Sequence, residues 1–218
     1  GITFIPIKGI ALSSDLYPEY PVRPSTDIDV LINEDDLDKA SNILEGLGFK
    51  KHLEGLKESY WRTKQYHLVF IKEGVEKLPF IVELHWDIDY RRKRRYLLPE
   101  MFNRLREVSI QNKKIKILSI EDTFFVLVLH QRRFGKVLAL RDVCDMGRLL
   151  NRYAASFDWG YCLREGKRSK VSSTIFFGLQ QVKSLLGIDV PEYVIEGLGV
   201  PKWKRRFIEG FIEKNTFL

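Results

Sequence analysis

The segment RPSTDIDVLI, residues 23–32, indicates the fold of the first half of the chain more clearly than any other. Its last six residues are rich in β-branched and aliphatic side chains and predict a strand over 27–32. On that strand Asp27, Asp29 and Leu31 share one face, because successive side chains point to opposite faces. Two carboxylates so close together repel each other unless they are protonated, paired with cations or bound to metal. The segment predicts either a metal-binding pair or an edge strand whose polar face is in water.

Further strands and helices are predicted around this segment. A helix begins after Asn33, a typical N-cap residue, and its acidic first turn suits the positive end of the helix dipole. Gly48 ends that helix. A loop over 17–24 contains three prolines, which exclude regular structure there. The other predicted strands cover 2–7, 66–72, 80–88 and 114–118, and the predicted helices cover 10–16 and 34–47.

The second half of the chain is predicted to be helical. Ser119, with acidic residues two and three positions later, caps a helix that continues through His130. The further predicted helices cover 137–153, 158–166, 170–186, 191–198 and the residues from 203 onward. Strands followed by helices are typical of an α+β domain that precedes a helical one. We therefore expect two domains, residues 1–118 and residues 119–218.

The composition and the charge distribution restrict the class of protein. Hydrophobic residues make up 44% and charged residues 30% of the chain, which excludes collagen, coiled coil and wholesale disorder. Residues 1–90 hold 10 basic and 16 acidic side chains, a net of −6, whereas residues 91–218 hold 26 and 13, a net of +13. This asymmetry predicts either an anionic partner or a solvated basic surface. The densest basic cluster, 91–95, is expected in an exposed loop that contacts phosphate.

The two cysteines and the hydropathy of the sequence indicate in which cellular compartment the protein is expected. Cys144 and Cys162 are expected to be reduced and mostly buried, which suits a cytoplasmic location. The longest apolar run, 124–129, has six residues, far fewer than the roughly 20 that cross a bilayer, so no membrane partner is expected. The chain begins with Gly1 rather than Met and enters an apolar stretch at once, so we expect residues upstream of it.

A third acid extends the carboxylate pair. Glu83 lies in the middle of an otherwise apolar predicted strand, where an isolated buried carboxylate is costly, so it is expected to face inward or into a cleft. If that strand neighbours the one that carries Asp27 and Asp29, the three acids could hold two metal ions. Carboxylate oxygens suit Mg²⁺ or Mn²⁺, and two such ions support an in-line phosphoryl displacement.

Residues suited to phosphate binding flank the acids. Lys8 and Gly9 follow the first predicted strand, where a backbone turn can approach a phosphate while the lysine neutralises it. Arg23 and Ser25 lie just before Asp27 and can donate hydrogen bonds to triphosphate oxygens.

These motifs resemble the nucleotidyltransferase superfamily of the polymerase-β type. More narrowly, the sequence is similar to the uncharacterised bacterial nucleotidyltransferase family and, in its Lys-Gly and Arg-x-Ser-x-Asp-x-Asp pattern, to nucleotidyltransferase toxins. The resemblance covers most of the chain and is carried by 7–12, 16–18, 23–29 and 82–86 and, more loosely, by 129–130, 140–145, 157–159 and 190–191. It implies a nucleotidyltransferase-type mixed β-sheet with flanking helices, followed by a helical C-terminal domain.

The resemblance also implies an activity and its residues. Asp27, Asp29 and Glu83 would be the catalytic metal ligands for Mg²⁺ or Mn²⁺, and the triphosphate, such as ATP, would contact Lys8 and its neighbours Gly9, Arg23 and Ser25. The reaction would move a nucleoside monophosphate to an acceptor hydroxyl on RNA, protein or a small molecule. The alternatives are an inactive module that binds nucleotide or RNA, and a toxin that modifies RNA. The wider superfamily usually has Ser or Gly after the first turn glycine, but this chain has Ile10, so Ser25, Lys8 or backbone N–H groups would have to substitute.

Other residues have weaker assignments. His85 shares a face with Glu83 and is either an additional ligand, a residue that supports the ligands from behind, or a histidine that is merely hydrogen-bonded beside the cleft. Arg141 and Asp142 could play the same supporting role, although Arg141 and Asp145 are spaced for a structural ion pair on one helix face. His52 and His67 show no partner pattern and are expected at the surface or in packing.

Overall fold

A computed structural model describes residues 1–17, 23–74, 78–89, 98–110, 112–131 and 140–215. The predicted basic loop at 91–95 lies outside the described residues, as do 137–139, where the predicted second helix of the C-terminal half begins, and most of the proline-rich loop. The chain divides into two compact units, Gly1–Leu118 and Ser119–Leu218.

The first unit is built on a five-stranded mixed sheet with the order β1-β2-β5-β4-β3. Its strands β2 and β5 run parallel, and every other neighbouring pair is antiparallel. A separate antiparallel pair, β6 and β7, completes the strands among the described residues. The bounds are β1 Phe4–Pro6, β2 Ile28–Ile32, β3 Lys50–His52, β4 His67–Lys72, β5 Phe80–His85, β6 Arg106–Ile110 and β7 Lys113–Ile117.

Helices flank this sheet, and the central strands form the core. Leu68 and Phe70 of β4 are fully buried with Leu84 of β5, and they pack with Trp61 and Trp86 in one apolar cluster. Burying an aromatic or aliphatic side chain contributes about 1.5–3 kcal/mol, so this cluster holds β4 against β5. The helices of this unit are α1 Ile10–Leu16, α2 Leu37–Gly46, α3 Glu58–Lys64 and α4 Leu98–Asn103.

The predicted α+β class and mixed sheet are confirmed, whereas several element bounds differ. The predicted helix after Asn33 begins as a 3₁₀ turn, Glu34–Asp36, and the Asn33 side chain makes no capping hydrogen bond. Gly48 follows that helix with φ +87°. Strands β3 and β6 and helices α3 and α4 were not predicted. They are short elements whose stability comes from tertiary pairing and packing rather than from local periodicity.

The second unit contains six helices among its described residues. Ser119 caps the first of these helices as predicted, because its Oγ accepts a hydrogen bond from the backbone N–H of Asp122 at 3.1 Å. Almost every residue of the first helix is buried, which fits its place at the centre of this unit. The helices are α5 Ile120–Gln131, α6 Leu140–Arg152, α7 Trp159–Arg168, α8 Ser172–Leu186, α9 Glu192–Gly197 and α10 Lys202–Asn215.

None of the helices in the described part of the chain is both long enough and apolar enough for a bilayer crossing.

Candidate active site

The strand register places two of the three predicted acids side by side. Asp29 of β2 is the direct partner of Glu83 on the adjacent parallel strand β5. Asp29 is buried, and the side chain of Glu83 is 22% exposed. Asp27 lies just before β2 and is partly exposed. The sheet therefore brings a buried carboxylate and a half-buried carboxylate together, with Asp27 nearer to solvent.

Two cationic groups contact these acids. The Lys8 Nζ lies 2.9 Å from the Asp29 Oδ1. The Nε2 of the buried His85 lies 3.1 Å from the same oxygen and 3.2 Å from the Glu83 Oε2. With a proton on Nε2, this imidazole donates to both carboxylates at once. His85 is therefore hydrogen-bonded within the acid cluster, and its role as a ligand or as a supporting residue stays a prediction.

These contacts set the charge states of the cluster. Burial alone would raise the pKa of Asp29, but the hydrogen bond from His85 and the charge of Lys8 outweigh it and hold that pKa well below its usual range. Burial likewise opposes ionisation of Glu83, yet its contacts with His85 leave its pKa lowered. Burial disfavours the charged imidazole, but the hydrogen bonds to Asp29 and Glu83 leave the pKa of His85 raised. Both acids are therefore carboxylates at neutral pH, the form that binds a metal ion.

The depressed pKa of Asp29 makes stability depend on pH. An unfolded Asp, with its ordinary pKa of 3.8, binds a proton more readily than the folded one, so the contribution is present above that pH and is lost as the pH falls below it. We expect the difference in the free energy of unfolding between wild type and Asp29→Asn to be largest near neutral pH and to shrink from about pH 4 to pH 2. Urea titrations at each pH measure it, with Asp35→Asn as an exposed control. A difference that grows with acidification would contradict this account of Asp29.

The predicted phosphate-binding residues converge on the turn at Gly9. Gly9 has φ +53° and ψ −117°, a conformation that favours glycine. A Cβ at this position would lie 2.8 Å from the Ser25 Oγ and 3.1 Å from the Asp27 backbone oxygen. The Ser25 Oγ donates a hydrogen bond to that same backbone oxygen at 2.8 Å. The buried Arg23 donates through Nη1 to the Gly9 oxygen at 3.2 Å. The missing side chain at Gly9 is what lets Ser25 and Asp27 approach the turn.

A cleft of about 680 Å³ opens beside this turn. Its polar lining includes Asp27, Ser25 and Arg23, together with Ser13 of α1, whose role the sequence did not indicate. The rest of the lining is mainly apolar, as is common in ligand pockets. The full lining is Ile10, Ser13, Arg23, Ser25, Thr26, Asp27, Ile28 and Leu78, Pro79, Phe80 and Ile81.

Arg141 and Asp142 lie in the second unit, on α6. Asp142 is buried and its Oδ2 lies 2.8 Å from the His130 Nδ1. The side chain of Arg141 is 57% exposed, and its Nε lies 4.0 Å from the Asp142 Oδ1. The proposed supporting role of these two residues stays a prediction.

His67 is the site residue that sequence reasoning missed. It is buried on β4 directly opposite His85, and its Nε2 lies 4.0 Å from the Glu83 Oε2. One ligand atom each from His67, Glu83 and His85 lie within 4.8 Å of one another. The expectation of a surface or packing residue was incomplete, because only the antiparallel register of β4 with β5 brings this imidazole to the acids.

Residues 1–187 match the family model described as uncharacterised nucleotidyltransferase. The chain belongs to this family. The predicted resemblance is therefore confirmed, and the protein is an enzyme of the nucleotidyltransferase class. No curated protein matches the chain.

Several solved structures are similar to the chain at low identity. The antibiotic-resistance factor ANT(2'')-Ia has 13% identity and a TM-score of 0.46, and the match covers 71% of this chain and 76% of that one. An antigenic nucleotidyltransferase-like protein from Paracoccidioides brasiliensis has 17% identity and a TM-score of 0.47, with 80% and 84% covered. Lincosamide antibiotic adenylyltransferase LnuA, lincomycin-bound, has 15% identity and a TM-score of 0.41, with 68% and 85% covered.

Proposed function

We propose that this nucleotidyltransferase moves a nucleoside monophosphate from a nucleoside triphosphate to an acceptor hydroxyl, and that Asp27, Asp29 and Glu83 hold the divalent ions that the reaction needs. The observation that carries the proposal is the register of β2 with β5, which sets Asp29 beside Glu83. The fit of Mg²⁺ or Mn²⁺ to the site rests on the donor chemistry, since ionised carboxylate oxygens are the ligands that these ions prefer. Residues 1–118 would form the catalytic domain and residues 119–218 a helical domain that selects the acceptor.

The chemistry is a single displacement at the α-phosphorus. A bond forms from the acceptor oxygen to that phosphorus, the bond to the bridging oxygen breaks, pyrophosphate leaves and the acceptor hydroxyl loses its proton. Divalent ions, when bound, would neutralise triphosphate charge and lower the pKa of the acceptor hydroxyl. Glu83, the more exposed of the two paired acids, would complete the second ion site or accept that proton.

The groups at the Gly9 turn would bind the triphosphate. The Ser25 hydroxyl lies at the turn itself. It would substitute for the hydroxyl that Ile10 does not supply by turning its proton from the Asp27 backbone oxygen to a phosphate oxygen. The Lys8 ammonium would offset the negative charge that develops on the leaving pyrophosphate. Arg23, held by the Gly9 carbonyl oxygen, lines the cleft and would donate to phosphate oxygens.

The acceptor is expected to be anionic. The net charge of +13 over residues 91–218 favours RNA over neutral acceptors, since a basic surface attracts the phosphate backbone. A protein hydroxyl and a small alcohol are the competing acceptors that an experiment has to include.

A labelling experiment tests the proposal. The protein is incubated with each of the four α-labelled triphosphates and Mg²⁺ or Mn²⁺, and is offered total RNA, a protein extract or a small-molecule extract. We expect label from at least one triphosphate in the RNA fraction, together with release of pyrophosphate. Label in the protein or small-molecule fraction alone would keep the transfer chemistry but refute RNA as the acceptor. If no triphosphate yields label or pyrophosphate under any of these conditions, the proposed function is wrong.

A further inference from the structure

The acid cluster continues beyond the carboxylates into a pair of stacked histidines. His67 and His85 have ring centroids 5.0 Å apart and an interplanar angle of 28°. They are direct cross-strand partners on β4 and β5 and therefore project from the same face of the sheet. Both side chains are buried, with exposed fractions of 8% and 2%. Both imidazoles are therefore buried parts of the acid cluster.

Both imidazoles point a nitrogen at one carboxylate oxygen. The Glu83 Oε2 lies 3.2 Å from the His85 Nε2 and 4.0 Å from the His67 Nε2. Ligand atoms about 2.1 Å from a tetrahedral ion lie roughly 3.4 Å apart. One ligand atom from each of the three residues lies within 4.8 Å of the other two, which is near the spacing of ligands around a single ion.

Glu83 is the carboxylate that lies near both histidines. Lys8 and the His85 Nε2 contact Asp29 at 2.9 and 3.1 Å, whereas Glu83 lies within 4.0 Å of the Nε2 of His85 and of His67. An imidazole ligates through a nitrogen lone pair, so an ion bound here would take the place of any proton on the two Nε2 atoms.

We propose that His67, His85 and Glu83 form a mixed imidazole–carboxylate site for one divalent transition-metal ion, of the class of Zn²⁺ or Co²⁺. Imidazole nitrogen favours these ions over Mg²⁺, which prefers oxygen ligands and water. This inference rests on the proposed function only in that Glu83 is shared with the Asp27 and Asp29 site. It assigns His67 as a ligand, and it predicts that the centre discriminates between metals.

Metal binding measured without nucleotide tests the inference. In calorimetric titrations we expect wild type to bind Zn²⁺ at least 10-fold more tightly than Mg²⁺. We expect His67→Gln to weaken Zn²⁺ binding by roughly 10- to 100-fold and to leave Mg²⁺ binding unchanged. The matched control is His52→Gln, which removes an exposed histidine of β3 and should bind Zn²⁺ as wild type does. Equal affinities for Zn²⁺ and Mg²⁺, or equal Zn²⁺ affinities of wild type and His67→Gln, would overturn the proposal.

A second measurement needs no variant. In imidazole nitrogen NMR spectra of the wild-type protein, Zn²⁺ should shift the resonances of His67 and His85 and leave that of His52 unchanged. Unshifted His67 resonances at saturating Zn²⁺ would refute its role as a ligand, even if His67→Gln failed to fold. Because neither measurement contains a triphosphate, failure of the histidine site and failure of nucleotidyl transfer give distinguishable results.

Discussion

Asp29→Asn is expected to lower the rate of nucleotidyl transfer by roughly 10³-fold, because it removes one charge from the carboxylates that would hold the metal ions. Asn has nearly the shape of Asp, so the strand pairing of β2 with β5 is preserved. The substitution removes the negative charge of the side chain that contacts both Lys8 and His85. The effect should appear in kcat, since positioning and charge stabilisation act on the transition state.

The measurement is the initial rate of pyrophosphate release at saturating triphosphate, with circular dichroism to verify folding. Asp35→Asn is the matched control, since Asp35 is an exposed acid in the 3₁₀ turn after β2. The control should retain the wild-type rate. A folded Asp29→Asn protein that transfers nucleotide as fast as wild type would show that the metal site has been assigned to the wrong residues.

Gly9→Ala is expected to damage both stability and transfer. The backbone angles of Gly9 lie in a region that L-residues rarely adopt, and holding Ala there costs about 1–3 kcal/mol. The added methyl group would lie 2.8 Å from the Ser25 Oγ and 3.1 Å from the Asp27 oxygen, so both would have to move. A displacement of this kind beside the reacting groups lowers the rate by roughly 10²-fold.

Gly55→Ala separates backbone strain from the effect on the site. Gly55 also has positive φ, +77°, but nothing lies within 4 Å of an added Cβ. We expect thermal unfolding to show destabilisation of both variants and rate measurements to show loss of transfer only for Gly9→Ala. Equal rates for Gly9→Ala and wild type would mean that the close contact of Ser25 and Asp27 with the turn has no role in catalysis.

The local sequence pattern predicts the strands that carry the acids, whereas it does not predict which strands lie side by side in the sheet. The alternation around Asp29 and the apolar context of Glu83 predict two strands, and both are present as β2 and β5. Their adjacency does not follow from the sequence, because β3 and β4 lie between them in the chain and join the sheet on the far side of β5. A one-residue slip in that register would turn Glu83 to the other face, away from Asp29.

The histidine pair also shows which contacts a single sequence cannot predict. His85 follows Glu83 by two residues, so the period of a strand places both on one face. His67 is separated from His85 by 18 positions, and the antiparallel pairing of β4 with β5 decides that the two residues meet. Residues that meet through local periodicity can be predicted from a single sequence, whereas those that meet through sheet register cannot.

A Mn²⁺ titration followed by electron paramagnetic resonance, with a non-hydrolysable triphosphate analogue present, tests directly whether Asp27, Asp29 and Glu83 together hold divalent ions beside a triphosphate. We expect two bound Mn²⁺ ions per wild-type chain, with fewer bound to Asp29→Asn and to Glu83→Gln. Binding of Mn²⁺ to wild type no greater than to the analogue alone, or equal binding by the two variants and wild type, would contradict this expectation.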